Sequence, residues 1–187
     1  MKTEKCIQFL VLVPHRDTRL VLRNYSKTLL KAGFTGAYYF PWAAPLAPLS
    51  RPLNPQELKK IAQEIRKSAI AGKFNAGEMY TMPFPPEEKN CFLSGPRLDL
   101  SFPPDFSKNK ISHFYTTTVI GACLLQDGKN ADALPRPPKL SFSAAAVANM
   151  VWQPVRLSSE DTKSDAFGYK WRIGKLFWLP KKGAVIP

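Results

Sequence analysis

Apolar and polar positions change their period along this chain, and each change marks an element. Residues 6–13 are apolar apart from Gln8 and rich in β-branched side chains, the pattern of a buried strand. Asp17 or Thr18 can cap a helix that runs to Ala32 and stops at Gly33, with Val21, Tyr25 and Leu29 repeating every four positions. Arg16, Arg19, Arg23 and Lys27 make a basic stripe on another face of that helix. Residues 34–49 are hydrophobic and contain the cluster Tyr38, Tyr39, Phe40 and Trp42, whose first expectation is core. Pro41, Pro45 and Pro48 interrupt this stretch, which predicts a short strand ending near Trp42 and then an extended loop.

The second helix has the sharpest signal. Asn54 stands at its cap, Pro55 at its first helical position, and Glu57 where a reciprocal capping contact is made. Leu58, Ile61, Ala62, Ile65 and Ala69 then share one stripe, and Gly72 ends it. From there the period drops to two. Phe74, Ala76, Tyr80, Met82 and Phe84 alternate, and further strands are predicted over 97–102, 112–125, 140–152 and 169–179. In 140–152 the even positions from Leu140 to Trp152 form one side. In 169–179, Tyr169, Trp171, Ile173, Phe177 and Leu179 fall on one face, with Lys170 and Arg172 on the other. The order strand, helix, strand, helix and then five strands predicts a single α+β domain over residues 1–187. Both helices lie in the first 72 residues, packed on antiparallel-rich sheet. Residues 126–139 are the expected mobile loop.

Composition narrows the class. With 44% hydrophobic and 22% charged residues the chain can bury a core, which excludes wholesale disorder. No apolar run reaches the 18 or so residues of a spanning helix, so no membrane partner is expected. The run 7–13 goes straight into Pro14-His15-Arg16-Asp17 without a small-residue cleavage site, unlike a signal peptide. Cys6, Cys91 and Cys123 are far apart and form no CxxC, as expected of reduced thiols in a cytoplasmic protein. GxGxxG, GxxxxGK[ST], HExxH and GxSxG are all absent, and the two histidines, His15 and His113, make no metal signature. No cofactor and no metal are expected.

Charge changes the picture more. The net charge is +13, divided as +8 over residues 1–70, +1 over 71–139 and +4 over 140–187. If the two ends meet, they make one positive face suited to phosphate-rich partners. Lys170, Arg172 and Lys175 alternate with Tyr169, Trp171 and Trp178, an interleaving that suits single-stranded nucleic acid, where bases stack and phosphates meet cations. His15 precedes a helix start, where backbone amides can bind anions.

The β-α-β-α opening, with FLVLVP in the first strand and an aromatic-Pro segment near residue 40, resembles the two-histidine phosphoesterases, the LigT-like RNA ligase and cyclic phosphodiesterase proteins. The closing segments AAAVANMVWQPV and YKWRIGKLFWLPK look like the paired strands that finish that fold. The resemblance implies a bilobal α+β arrangement around a cleft, each lobe giving one His-x-Thr/Ser pair. Where the first pair belongs, this chain has Pro41-Trp42-Ala43-Ala44; near the second, ISHFYTTTVIG supplies His113 with Tyr115 two positions on and Thr117 next on the same face. In that family one histidine is base and the other acid, so a single imidazole leaves the paired proton transfer incomplete. The expectation is therefore an RNA- or nucleotide-phosphate-binding protein whose hydrolytic step is lost or altered. Arg16, Arg19, Arg172 and Lys175 would hold phosphate. Two alternatives remain: an active phosphoesterase using His113 with Tyr115, Thr117 or an arginine, and a basic module that meets an acidic protein.

Overall fold

The computed structural model describes residues 6–38, 40–67, 71–84, 91–101, 113–121, 123–126, 131–140, 142, 144–154 and 169–179. Within them the α+β reading holds: two α-helices, both before residue 72, and two antiparallel sheets. No helix among the described residues is long and apolar enough to cross a membrane.

The first apolar run forms β1 (Ile7–Pro14), which pairs with β2 (Ala44–Leu49) on one side and β7 (Ala144–Pro154) on the other. β7 in turn pairs with β8 (Tyr169–Ile173) and, further along, with β9 (Phe177–Trp178). The order of this sheet is β2-β1-β7-β8. The second sheet is built on β4 (Cys91–Ser101), which takes β3 (Ala71–Pro83) along one stretch and β5 (Thr117–Val119) and β6 (Cys123–Gln126) along others.

Period-two alternation decides which face of each strand is buried where. Phe9, Val11 and Val13 of β1 and Ala146, Ala148, Met150 and Trp152 of β7 meet Met82, Leu93, Val119 and Leu124 of the second sheet. An aromatic knot closes this core: Phe84 stacks on Phe9 at 4.5 Å and meets Phe40 and Trp152 edge-on at 5.4 and 5.5 Å. Leu10 and Leu12 point the other way, into a cluster with Leu58, Ile61, Ala62 and Ile65 of α2 (Pro55–Lys67). Each such leucine or isoleucine contributes about 1.5–3 kcal/mol by burial. Ordering a residue costs about 1–2 kcal/mol, so α2 depends on the sheet beneath it. Its start is the reciprocal cap expected: the Glu57 amide donates to Asn54 Oδ1 at 2.9 Å, and the Asn54 amide donates to Glu57 Oε2 at 3.0 Å.

Several expectations need correction. The cap of α1 (Arg16–Lys31) is His15, whose Nδ1 accepts from the Asp17 amide, and the buried face is Thr18, Leu22, Tyr25 and Leu29. Val21 is exposed, because the run Leu20-Val21-Leu22 offers the periodicity three equivalent starts and the packing takes Leu22. The strand expected to end near Trp42 lies after it: residues 35–38 are a 3-10 turn, and β2 passes through Pro45 and Pro48. Its place on the sheet edge tolerates the missing amides. β3 has already begun at Ala71, so α2 ends before Gly72, and Ala69 lies outside the described residues. The strand expected over 97–102 begins earlier, at Cys91.

The long strand expected over 112–125 is two short ones, broken where Gly121 takes φ +60°. The strand expected over 169–179 is likewise two: Gly174 donates its amide to the Asn149 carbonyl, and the chain reverses face. Ile173 therefore packs with the inter-sheet core and Phe177 with the α2 side. Leu140, Phe142 and Ala144 also join the α2 side, whereas Ala146 to Trp152 face the other core, across a register shift at the β1–β7 pairing. These splits raise the strands after α2 from the expected five to seven among the described residues. Of the expected mobile loop, 127–130 lie outside the described residues, whereas Leu134 is buried and the Pro135 carbonyl accepts from the Tyr25 hydroxyl at 2.8 Å.

Candidate functional site

At 3.6 residues per turn, Arg16, Arg19, Arg23, Ser26, Lys27 and Leu30 fall on one stripe of α1, about a third of a turn from the buried face. Among the described residues none of Arg16, Arg19, Arg23 and Lys27 forms an ion pair with a carboxylate.

The C-terminal half of the stripe borders a groove of about 220 Å³. Arg23, Ser26, Lys27 and Leu30 form one wall, and Trp171 of β8 contributes from the edge of the first sheet. Ala37, Phe40, Pro41 and Trp42, from the 3-10 turn and the segment after it, complete the lining. The turn is seated by a close approach. A Cβ at Gly36 would overlap the Leu124 carbonyl of β6, so only glycine lets the turn lie this near the sheet. Phe40 is then pinned from beneath by Phe84 and Trp152. Trp42 and Trp171 remain 37% and 39% exposed, although folding normally buries most of an indole. The result is a slot with indoles from two distant segments, and a guanidinium and an ammonium on its rim. Such a slot can take a flat ring and hold an anion beside it.

The sequence-predicted residues divide among three places. Arg16 and Arg19 lie on the same α1 stripe as the groove cations; Arg19 is half-buried, and its Nε is enclosed without a hydrogen-bond partner among the described residues. Arg172 and Lys175 are at β8 and the turn after it. Register pairs Arg172 with Val151 and Trp171 with Trp152, so Lys170 and Arg172 point to the opposite face from Trp171. Strand alternation separates the cations and aromatics that the sequence interleaves. Lys175 instead sits over the Phe177 ring at 5.9 Å, and Trp178 is 67% exposed on β9.

His113, Tyr115 and Thr117 occupy the approach to β5. His113 is exposed and lies edge-on to Tyr115 at 6.4 Å. The Tyr115 hydroxyl is enclosed without a hydrogen-bond partner among the described residues, and burial pushes its phenol up to about 12. The Thr117 hydroxyl donates to Asp99 at 2.8 Å; Arg97 donates to the same carboxylate oxygen at 3.0 Å and to Glu78 at 3.2 Å. The other imidazole, His15, contacts Asp17 at the start of α1. No group of His, Cys, Asp and Glu among the described residues could hold a metal ion. No protein-family model, curated protein or solved structure matches the chain.

What sequence reading missed is the pairing of Trp42 with Trp171, 129 positions apart. The cationic stripe was visible. Trp171 reads as a stacking aromatic beside Lys170 and Arg172 rather than beside this stripe, and Trp42 reads as core because nothing local distinguishes an exposed indole from a buried one.

Proposed function

We propose that this protein binds RNA or a nucleotide, seating a base in the groove between α1 and β8 and a phosphate on its rim. The observation that supports this is one: two exposed indoles share a slot with Arg23 and Lys27, cations that the described residues leave uncompensated. Aromatic stacking is worth about 1–3 kcal/mol per base and accepts any base, because every base presents a π-face. Guanidinium suits phosphate through its fork of donors. Hydrolysis is no part of the reading. The expected two-histidine chemistry needs an aligned acid and base, each supplying roughly 10²–10⁴-fold, and the partners expected for His113 are a buried phenol and a hydroxyl already given to Asp99.

Titration of the chain with AMP, followed by tryptophan fluorescence, tests the groove. Quenching should saturate. Trp171→Ala should weaken binding roughly 5- to 150-fold, the equivalent of one stacked base. Arg23→Gln should weaken it about tenfold, and His113→Ala should leave it unchanged. Loss of binding in His113→Ala, or robust turnover of a 2′,3′-cyclic nucleotide abolished by that substitution, would overturn the proposal in favour of the phosphoesterase reading.

A further inference from the structure

The groove is too small for a whole ligand. Its volume of about 220 Å³ falls below the roughly 300–1,000 Å³ that encloses a drug-sized molecule. It takes one ring system and leaves the remainder of the ligand outside. What lies outside is directional. The basic stripe continues from Lys27 and Arg23 at the groove to Arg19 and Arg16 toward the start of α1, with no carboxylate paired to any of them among the described residues.

Spacing adds to this. At a rise of about 1.5 Å per residue, the steps along the helix are about 4.5 Å from Arg16 to Arg19 and about 6 Å for each of the next two. These steps are comparable with the separation of successive phosphates in an extended strand. Arg19 is also held in direction: it is half-buried and its Nε is enclosed, so its head is less free to swing than that of a surface arginine.

We infer that the ligand is a single-stranded oligonucleotide, anchored by one base between Trp42 and Trp171, whose backbone runs along α1 with about four phosphates on Lys27, Arg23, Arg19 and Arg16. This rests on the groove reading above and extends it from one nucleotide to a strand of defined path. A free nucleotide or an acidic polypeptide would satisfy the groove or the charge, but not both together.

The test is titration of the full chain with AMP and with 5′-phosphorylated oligoadenylate RNA of two, three, four, six and eight nucleotides, read by tryptophan quenching at several salt concentrations. At low salt, Kd should fall about 30-fold from AMP to the tetramer, through three further exposed charge contacts, and then level off. The salt slope for the tetramer should be about −2.8, at about −0.7 per phosphate contacted on a single strand. Arg16→Gln with Arg19→Gln, neither of which lines the groove, should leave AMP binding unchanged and reduce the tetramer slope to about −1.4.

Quenching by AMP with no gain from length would overturn the strand while the groove reading stands. A length gain indifferent to Arg16 and Arg19 would place the strand elsewhere and overturn it too. No quenching by AMP or any oligomer would remove both readings, and equal competition by polyglutamate would reduce the stripe to unspecific charge.

Discussion

Arg97 and Arg23 carry the same guanidinium into opposite situations. Arg97, on β4, is held by Asp99 and Glu78, with Thr117 donating to the same Asp99 oxygen, so its charge is compensated within the sheet. Arg23, on α1, meets no acid among the described residues and stands with Lys27 at a slot lined by Trp42 and Trp171. The surroundings differ as well. Around Arg97 the neighbours are strand residues whose alternation fixes them; around Arg23 they are a helix, an irregular segment and a sheet edge. Net charge does not separate the two. What separates them is whether the protein supplies the counterion or leaves it to a ligand.

The harshest way to break the comparison is to lift the 3-10 turn. Gly36→Ala drives a methyl into the Leu124 carbonyl, which as backbone cannot yield. It should destabilise the protein by about 3 kcal/mol, at the upper end for overpacking, seen as a lower urea midpoint. It should also abolish AMP quenching, because Ala37, Phe40 and Trp42 follow that turn into the groove. An unchanged midpoint would mean the turn does not lie where its contact with β6 puts it.

A gentler break separates the two arginines directly. Asp99→Asn removes the charge that holds Arg97 and should lower stability by about 1–2 kcal/mol, since the carboxylate is partly exposed and accepts from two donors. Nucleotide affinity should not move. Equal losses of stability and affinity would mean that the two surfaces are one.

The smallest effect concerns the approach to β5. Burial pushes the Tyr115 phenol up to about 12, so folding favours the neutral form. The stability this contributes is intact below the ordinary phenol value near 10 and is lost as pH rises toward 12. Tyr115→Phe should therefore lose less stability than the parent chain between pH 10 and 12 in urea unfolding. Identical losses would show Tyr115 to be solvated, and so available to His113 in the way the rival phosphoesterase reading requires.

How much of this the sequence discloses depends on how local each cause is. The start of α2 is wholly legible, because Asn54, Pro55 and Glu57 satisfy one another within four positions. β1 is legible through its apolar run, continuous from Phe9 to Val13. α1 is legible in extent but not in face, since Leu20, Val21 and Leu22 are equally apolar and only packing selects Leu22, which lies against Gly121. β2 is hidden by its own prolines, whose tolerance depends on lying at a sheet edge, a property of the whole topology. The breaks at Gly121 and Gly174 interrupt runs whose composition stays strand-like. The groove is the least legible part. Its cations were readable as a stripe, but the indoles that give the stripe a partner come from opposite ends of the chain.

The most direct test of the central claim is a crystal structure of the protein with an adenine dinucleotide at low salt. The account predicts one base in contact with Trp42 and Trp171, with the adjoining phosphate in hydrogen-bond reach of Arg23 or Lys27. A dinucleotide bound instead at His113 and Tyr115, with the groove between α1 and β8 empty, would contradict it.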